Sequence, residues 1–99
     1  MIGTINYTFT AEVWQYNPPK GWYFLNLPID ISNEIRQHSR WQEEGWGRMP
    51  AIATIGSTEW KTAIWFDTKK STYLLPLKTE IRKKEGIEVG KLVEVKVVI

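Results

Sequence analysis

A chain of 99 residues, 42% hydrophobic and without cysteine, can bury one modest core but has no disulfide framework, thiolate metal site or thiol nucleophile. Thirteen basic residues against eleven acidic ones leave a net charge of +2, too small to coat nucleic acid by electrostatics alone. No basic region followed by an apolar stretch opens the sequence, and no apolar run approaches the roughly 20 residues that span a bilayer, so a cytoplasmic protein without membrane contact is expected.

Ile5, Tyr7, Phe9, Ala11 and Val13 alternate with Thr4, Asn6, Thr8, Thr10 and Glu12, the period of a strand that buries one face. The NPPKG run from Asn17 to Gly21 turns the chain, because two prolines fix φ and a glycine accepts angles closed to other residues. Trp22 to Leu27 is apolar on both faces; it is expected to be covered on both, with Trp22 in the core, until Pro28 ends its ladder. Asp30 or Ser32 can cap a short helix reaching about Arg36 or His38, with Ile31 and Ile35 as its apolar stripe. Arg40 to Gly47, RWQEEGWG, reads as a loop.

Arg48 to Ile55 forms the third expected strand, and Gly56 to Thr58 turns it into a fourth, Glu59 to Phe66. There Trp60, Thr62, Ile64 and Phe66 share one face and Glu59, Lys61, Ala63 and Trp65 the other. The charged turn DTKKS leads into a fifth strand, Thr72 to Leu75, stopped by Pro76. Leu77 to about Glu85 is predicted helical, with Leu77 and Ile81 inward; Gly86 suits the left-handed position that follows a helix, and Lys83 and Lys84 suit its dipole. Val93, Val95, Val97 and Ile99 line one face of a sixth strand.

The two halves keep four landmarks in one order: Thr10 answers Thr62 in TAEVW and TAIWF, Leu27-Pro28 answers Leu75-Pro76, Glu34-Ile35-Arg36 answers Glu80-Ile81-Arg82, and Gly47 answers Gly90, at offsets of 52, 48, 46 and 43. A strand, strand, helix, strand unit cannot enclose a core alone, whereas two related by a pseudo-two-fold axis can pair their strands into a closed or nearly closed barrel. The expectation is one mainly β domain over residues 1–99, with repeats at about 5–55 and 59–99: six strands and two short helices.

The segment LLPLKTEIRKKEGIEVGKLVEV resembles the swapped-hairpin domain of the AbrB, MazE and SpoVT regulators and antitoxins, in which two short chains interlock as a double-split β-barrel. FTAEVW, GWYFLNLP, GWGRMPAIATIGSTEWKTAIWFD and YLLPLKTEIRKKEGIEVGKLVEV together resemble a prokaryotic domain-of-unknown-function family, DUF1905, often found beside a YdeI/OmpD-associated domain. The resemblance implies a six-stranded pseudo-two-fold double-split barrel within one chain and supplies no catalytic residues. Two positions depart from the family pattern, Ala63 where serine is frequent and Phe66 where proline is frequent.

Two groups of side chains are candidate sites. Trp41, Trp46 and Trp65 with the cations Arg48 and Lys61 could stack a base, nucleotide or sugar; against this, the indoles could simply cap the barrel ends. Lys69, Lys70, Lys78, Arg82, Lys83 and Lys84 could neutralise phosphates, and the AbrB resemblance implies DNA contact for that helix. The positions answering four of these are about Asp30, Arg36, Gln37 and His38, so the second patch a dimeric regulator would present is mostly missing and a solvated helix face is favoured. Catalysis is not expected: His38 is the sole histidine, Glu43-Glu44 are mere neighbours, and there is no metal-ligand spacing, phosphate loop or nucleophile elbow. The sequence therefore reads as a small binding or interaction module without cofactor, compatible with a monomer, for an unassigned small ligand or protein partner. A nucleic-acid-binding regulator is the alternative.

Overall fold

In a computed structural model, which describes residues 5–39, 41, 43 and 45–99 except the side chain of Trp46, the alternating N-terminal run becomes β1 (Asn6–Glu12), followed by a two-residue β2 (Trp14–Gln15). The chain continues through β3 (Tyr23–Asn26), α1 (Ile29–Ser39), a 3-10 turn at Gly45–Gly47, β4 (Arg48–Ile55), β5 (Thr58–Asp67), β6 (Thr72–Pro76), α2 (Thr79–Glu85) and β7 (Leu92–Val98). All seven strands join one antiparallel sheet in the order β1-β7-β4-β5-β6-β3-β2.

Alternation sets the inside of the curl. Phe9 lies opposite Val95 and Tyr7 opposite Val97 on β1 and β7, while Met49, Ala51, Ala53 and Ile55 are the buried residues of β4. Leu25, Ile64, Tyr73 and Leu75 continue that surface, and Ile35 of α1 and Ile81 of α2 join it. Each large apolar side chain so buried contributes about 1.5–3 kcal/mol against leaving it in water.

A closed six-stranded barrel does not form; the seven strands curl into an open half-barrel with two helices. The reason lies at Val13, whose N–H donates to Lys91 O and whose carbonyl accepts from Gly90 N–H, both at 2.9 Å, completing the seam with the β7 side. One residue later Trp14 pairs with Phe24. The expected first strand thus changes partner from β7 to β3, which places β1 and β2 at opposite ends of the hydrogen-bonding order, joined through Val13 and not paired with one another. At the start of that strand Ile5 and Ile99 exchange both backbone bonds, each 3.0 Å.

The helices attach differently. Ser32 does not cap α1; fully buried, its Oγ accepts the Tyr73 backbone N–H at 3.1 Å and faces Leu27 O at 3.5 Å, so it fastens the helix to β6. Asp30 Oδ1 instead accepts from Ile31 N–H at 2.9 Å. Gly86 ends α2 as the sequence predicts, left-handed at φ 62° with its N–H on Arg82 O. Trp22 is the clearest departure from expectation: it is 69% exposed, because it precedes β3 and its neighbour across the hairpin is the exposed Tyr16, bound through Tyr16 N–H to Trp22 O at 2.9 Å. Trp60 is partly buried against the core, on the face expected.

Candidate functional site

The β2–β3 hairpin and the start of α2 meet at one seam. Leu77 N–H donates to Tyr23 O at 2.9 Å, which brings the first turn of α2 against the beginning of β3. The tight turn that precedes Trp22 requires glycine, since a Cβ on Gly21 would stand 1.3 Å from Tyr16 O. Gln15 Nε2 ties the same turn by donating to Pro19 O at 2.9 Å and Gly21 O at 3.0 Å.

Between these elements lies an open cavity of about 310 Å3, lined by Lys20, Trp22, Tyr23, Lys78, Thr79 and Arg82 among others. The Arg82 guanidinium carbon sits 3.7 Å from the centre of the Tyr23 ring, within stacking range. Its Nε donates to Leu77 O at 3.2 Å and one terminal nitrogen to Thr79 Oγ1 at 2.9 Å. Two donors therefore orient the group while others stay available, and among the described residues no carboxylate lines the cavity. A second cavity, about 360 Å3, lies beside Gly56 and Leu92, where Glu85 and Glu94 accompany Lys91 and leave no single sign of charge.

A model described as a domain of unknown function, DUF1905, matches residues 9–97. The chain belongs to that family. No curated protein matches it. Among the described residues of this DUF1905 domain, no group of three or more His, Cys, Asp or Glu could hold a metal ion, and no helix is long and apolar enough to cross a membrane.

The phosphate candidates do not share one surface. Lys78 and Arg82 line the cavity, but successive helical residues turn by about 100°, which carries the exposed Lys83 and Lys84 away from that side. Lys69 lies in the β5–β6 turn, its N–H on Asp67 Oδ1 at 3.0 Å. Lys70 projects over Trp14, 4.9 Å from the ring centre, and that indole packs against Phe24 at 5.3 Å while its Nε1 donates to Asn26 Oδ1.

Of the stacking candidates, Arg48 and Trp65 are directly opposite on β4 and β5, with the guanidinium carbon 5.9 Å from the indole ring. Trp65 is 39% exposed on the outer face. Lys61 shares that face but pairs with Ile52, four residues along β5 and so about 13 Å away. Trp41 is 73% exposed, and the side chain of Trp46 lies outside the described residues. Neither cavity is lined by Arg48, Lys61 or Trp65.

Sequence reasoning singled out Lys78 and Arg82 but not Trp22, Tyr23 or Lys20, which complete the cavity. It also missed a polar cluster in the other half. Arg36 Nη1 binds Glu43 Oε2 at 2.8 Å, the same oxygen accepts from Tyr73 Oη, and the guanidinium lies 4.0 Å from the Phe66 ring centre. Burial, and then the Glu43 carboxylate, push the Tyr73 phenol well above its ordinary pKa. The repeated EIR held the available signal: two arginines at related helix positions, each stacked on an aromatic ring.

Proposed function

We propose that this DUF1905 domain is a small non-enzymatic binding module whose site is the cavity between the β2–β3 hairpin and α2, and that its ligand is an anion with a flat or apolar part. The observation that carries this reading is the lining: three cations and two aromatic rings around one open cavity, with no carboxylate among the described lining residues. An anion gains charge-assisted hydrogen bonds from Arg82, Lys78 and Lys20, while Trp22 offers apolar surface that is costly to leave in water. Tryptophan fluorescence tests it with a panel of inorganic phosphate, nucleoside monophosphates, dicarboxylates and acidic sugars. A saturable change in emission is expected, lost in Trp22→Phe and weakened about tenfold or more in Arg82→Gln. Unchanged emission across the panel, or an equal response in Trp22→Phe, removes the assignment.

Duplex DNA binding in the manner of the AbrB-like regulators is the lesser reading, because the six candidate cations are divided among the cavity, the β5–β6 turn and the far side of α2. It requires binding at low salt that falls steeply as salt rises. The architecture we read as an internally duplicated, double-split barrel. In its support, Asn6 pairs with Val98 as Thr58 pairs with Ile55, at offsets of 52 from 6 to 58 and 43 from 55 to 98, the values that separate TAEVW from TAIWF and Gly47 from Gly90. Likewise β3 pairs with β6 and β4 with β7, as equivalent strands do across a two-fold axis.

A further inference from the structure

The two halves each set a tyrosine and an arginine together where strand passes into helix, and the chain treats the two places differently. In the first half, Leu27 N–H donates to Tyr73 O at 2.9 Å; in the second, Leu77 N–H donates to Tyr23 O at the same distance. A helix follows each leucine and carries the arginine in its last turn, Arg36 in α1 and Arg82 in α2. Arg36 stacks on Phe66 beside Tyr73, and Arg82 stacks on Tyr23 itself.

The difference lies between arginine and tyrosine. In the first half the longer connection from α1 to β4 supplies Glu43, whose one oxygen takes both Arg36 Nη1 and the Tyr73 hydroxyl. The connection from α2 to β7 runs only from Gly86 to Lys91 and places no carboxylate on Arg82. Lys20 and Lys78 add positive charge there, and Trp22, which lines the cavity, is 69% exposed opposite the 63% exposed Tyr16 across the hairpin.

Resting on the binding reading above, we propose that the cavity receives a glutamate or aspartate side chain from an acidic peptide segment of a partner protein, as the first half receives Glu43 from its own chain. The partner carboxylate accepts from the outward donors of Arg82 and is neutralised by Lys78 and Lys20, while an apolar neighbour in the segment covers Trp22 and Tyr16. The precedent is local: the chain's own carboxylate comes from a stretch in which the apolar Trp41 lies two residues before Glu43.

The test is an NMR titration of the whole chain, following the Trp22 indole N–H and the Arg82 Nε–H. The probes are a blocked short peptide with two glutamates flanked by leucines, the same peptide with glutamines, and inorganic phosphate. The glutamate peptide is expected to move both signals saturably and to bind at least about tenfold more tightly than the glutamine peptide. Arg82→Gln abolishes that difference; Lys78→Gln, at an exposed position, reduces it and serves if Arg82→Gln disturbs the fold. Equal binding of the two peptides overturns the proposal. If phosphate moves the Trp22 signal and the glutamate peptide does not, the anion cavity stands and the carboxylate assignment falls; if neither moves it, the carboxylate assignment falls, and the anion cavity falls with it once nucleoside monophosphates, dicarboxylates and acidic sugars also leave the signal unchanged.

Discussion

Single residues decide how the cavity is built. Gly21 is the tightest of them, with Tyr16 O occupying the space of its missing Cβ. Gly21→Ala should cost about 1–3 kcal/mol in denaturant unfolding and weaken whatever the cavity binds, because Trp22 and Tyr23 follow directly. Tyr73 makes a pH-dependent contribution of definite sign. Folding favours its neutral form, since burial disfavours the phenolate and the neutral hydroxyl donates to Glu43. A raised pKa of this kind contributes stability in full below the unfolded phenol's value of about 10, and that contribution is lost as pH climbs toward the higher folded value. Stability should therefore fall as pH rises above about 10, and Tyr73→Phe should flatten the decline in a series of urea melts at increasing pH. Some slope should persist, because burial and then Glu34 raise Tyr7 as well.

At the scale of elements, the connection from α1 to β4 is fastened by Glu43, which is bound to Arg36 and Tyr73. Glu43→Gln should destabilise by about 1–3 kcal/mol, and amide exchange at Gly45–Gly47 should quicken more than exchange in β7. Equal acceleration in both would mean that the carboxylate serves the whole fold and not its own connection. The expected strands and helices were legible because period and punctuation agreed: β1 and β7 alternate cleanly, Pro28 and Pro76 mark strand ends, and Gly86 closes α2. The partner change at Val13 was not legible, since Trp14 and Gln15 continue an extended run and nothing local announces a new neighbour. Hydropathy also misplaced Trp22, which an apolar run suggested was covered, and local pattern offered Ser32 as a helix cap, whereas it is buried with its Oγ on a β6 backbone N–H far along the chain. The cavity was half visible for the same reason: Lys78 and Arg82 sit on a readable helix, but their aromatic partners arrive only when β3 pairs with β6.

Across the whole molecule, most ladders join one half of the sequence to the other. β1 pairs with β7, β3 with β6, and β4 with both β5 and β7, whereas only β2–β3 and β5–β6 lie within a half. Fragments cut at the Gly56-Ser57 turn should each lack strand signal in circular dichroism and regain it on mixing, with a concentration-dependent midpoint. A fragment that folds alone would contradict the dependence of each half on the other. The paired ends of the sheet carry a mechanical consequence. Because Ile5 and Ile99 exchange both of their backbone bonds at one end of the antiparallel β1–β7 ladder, a pulling force applied at those two residues loads that pair first and then its neighbours in turn. The domain should peel open like a zipper at low force, whereas the same force applied along β5, which is held on both sides by β4 and β6, must shear many bonds together.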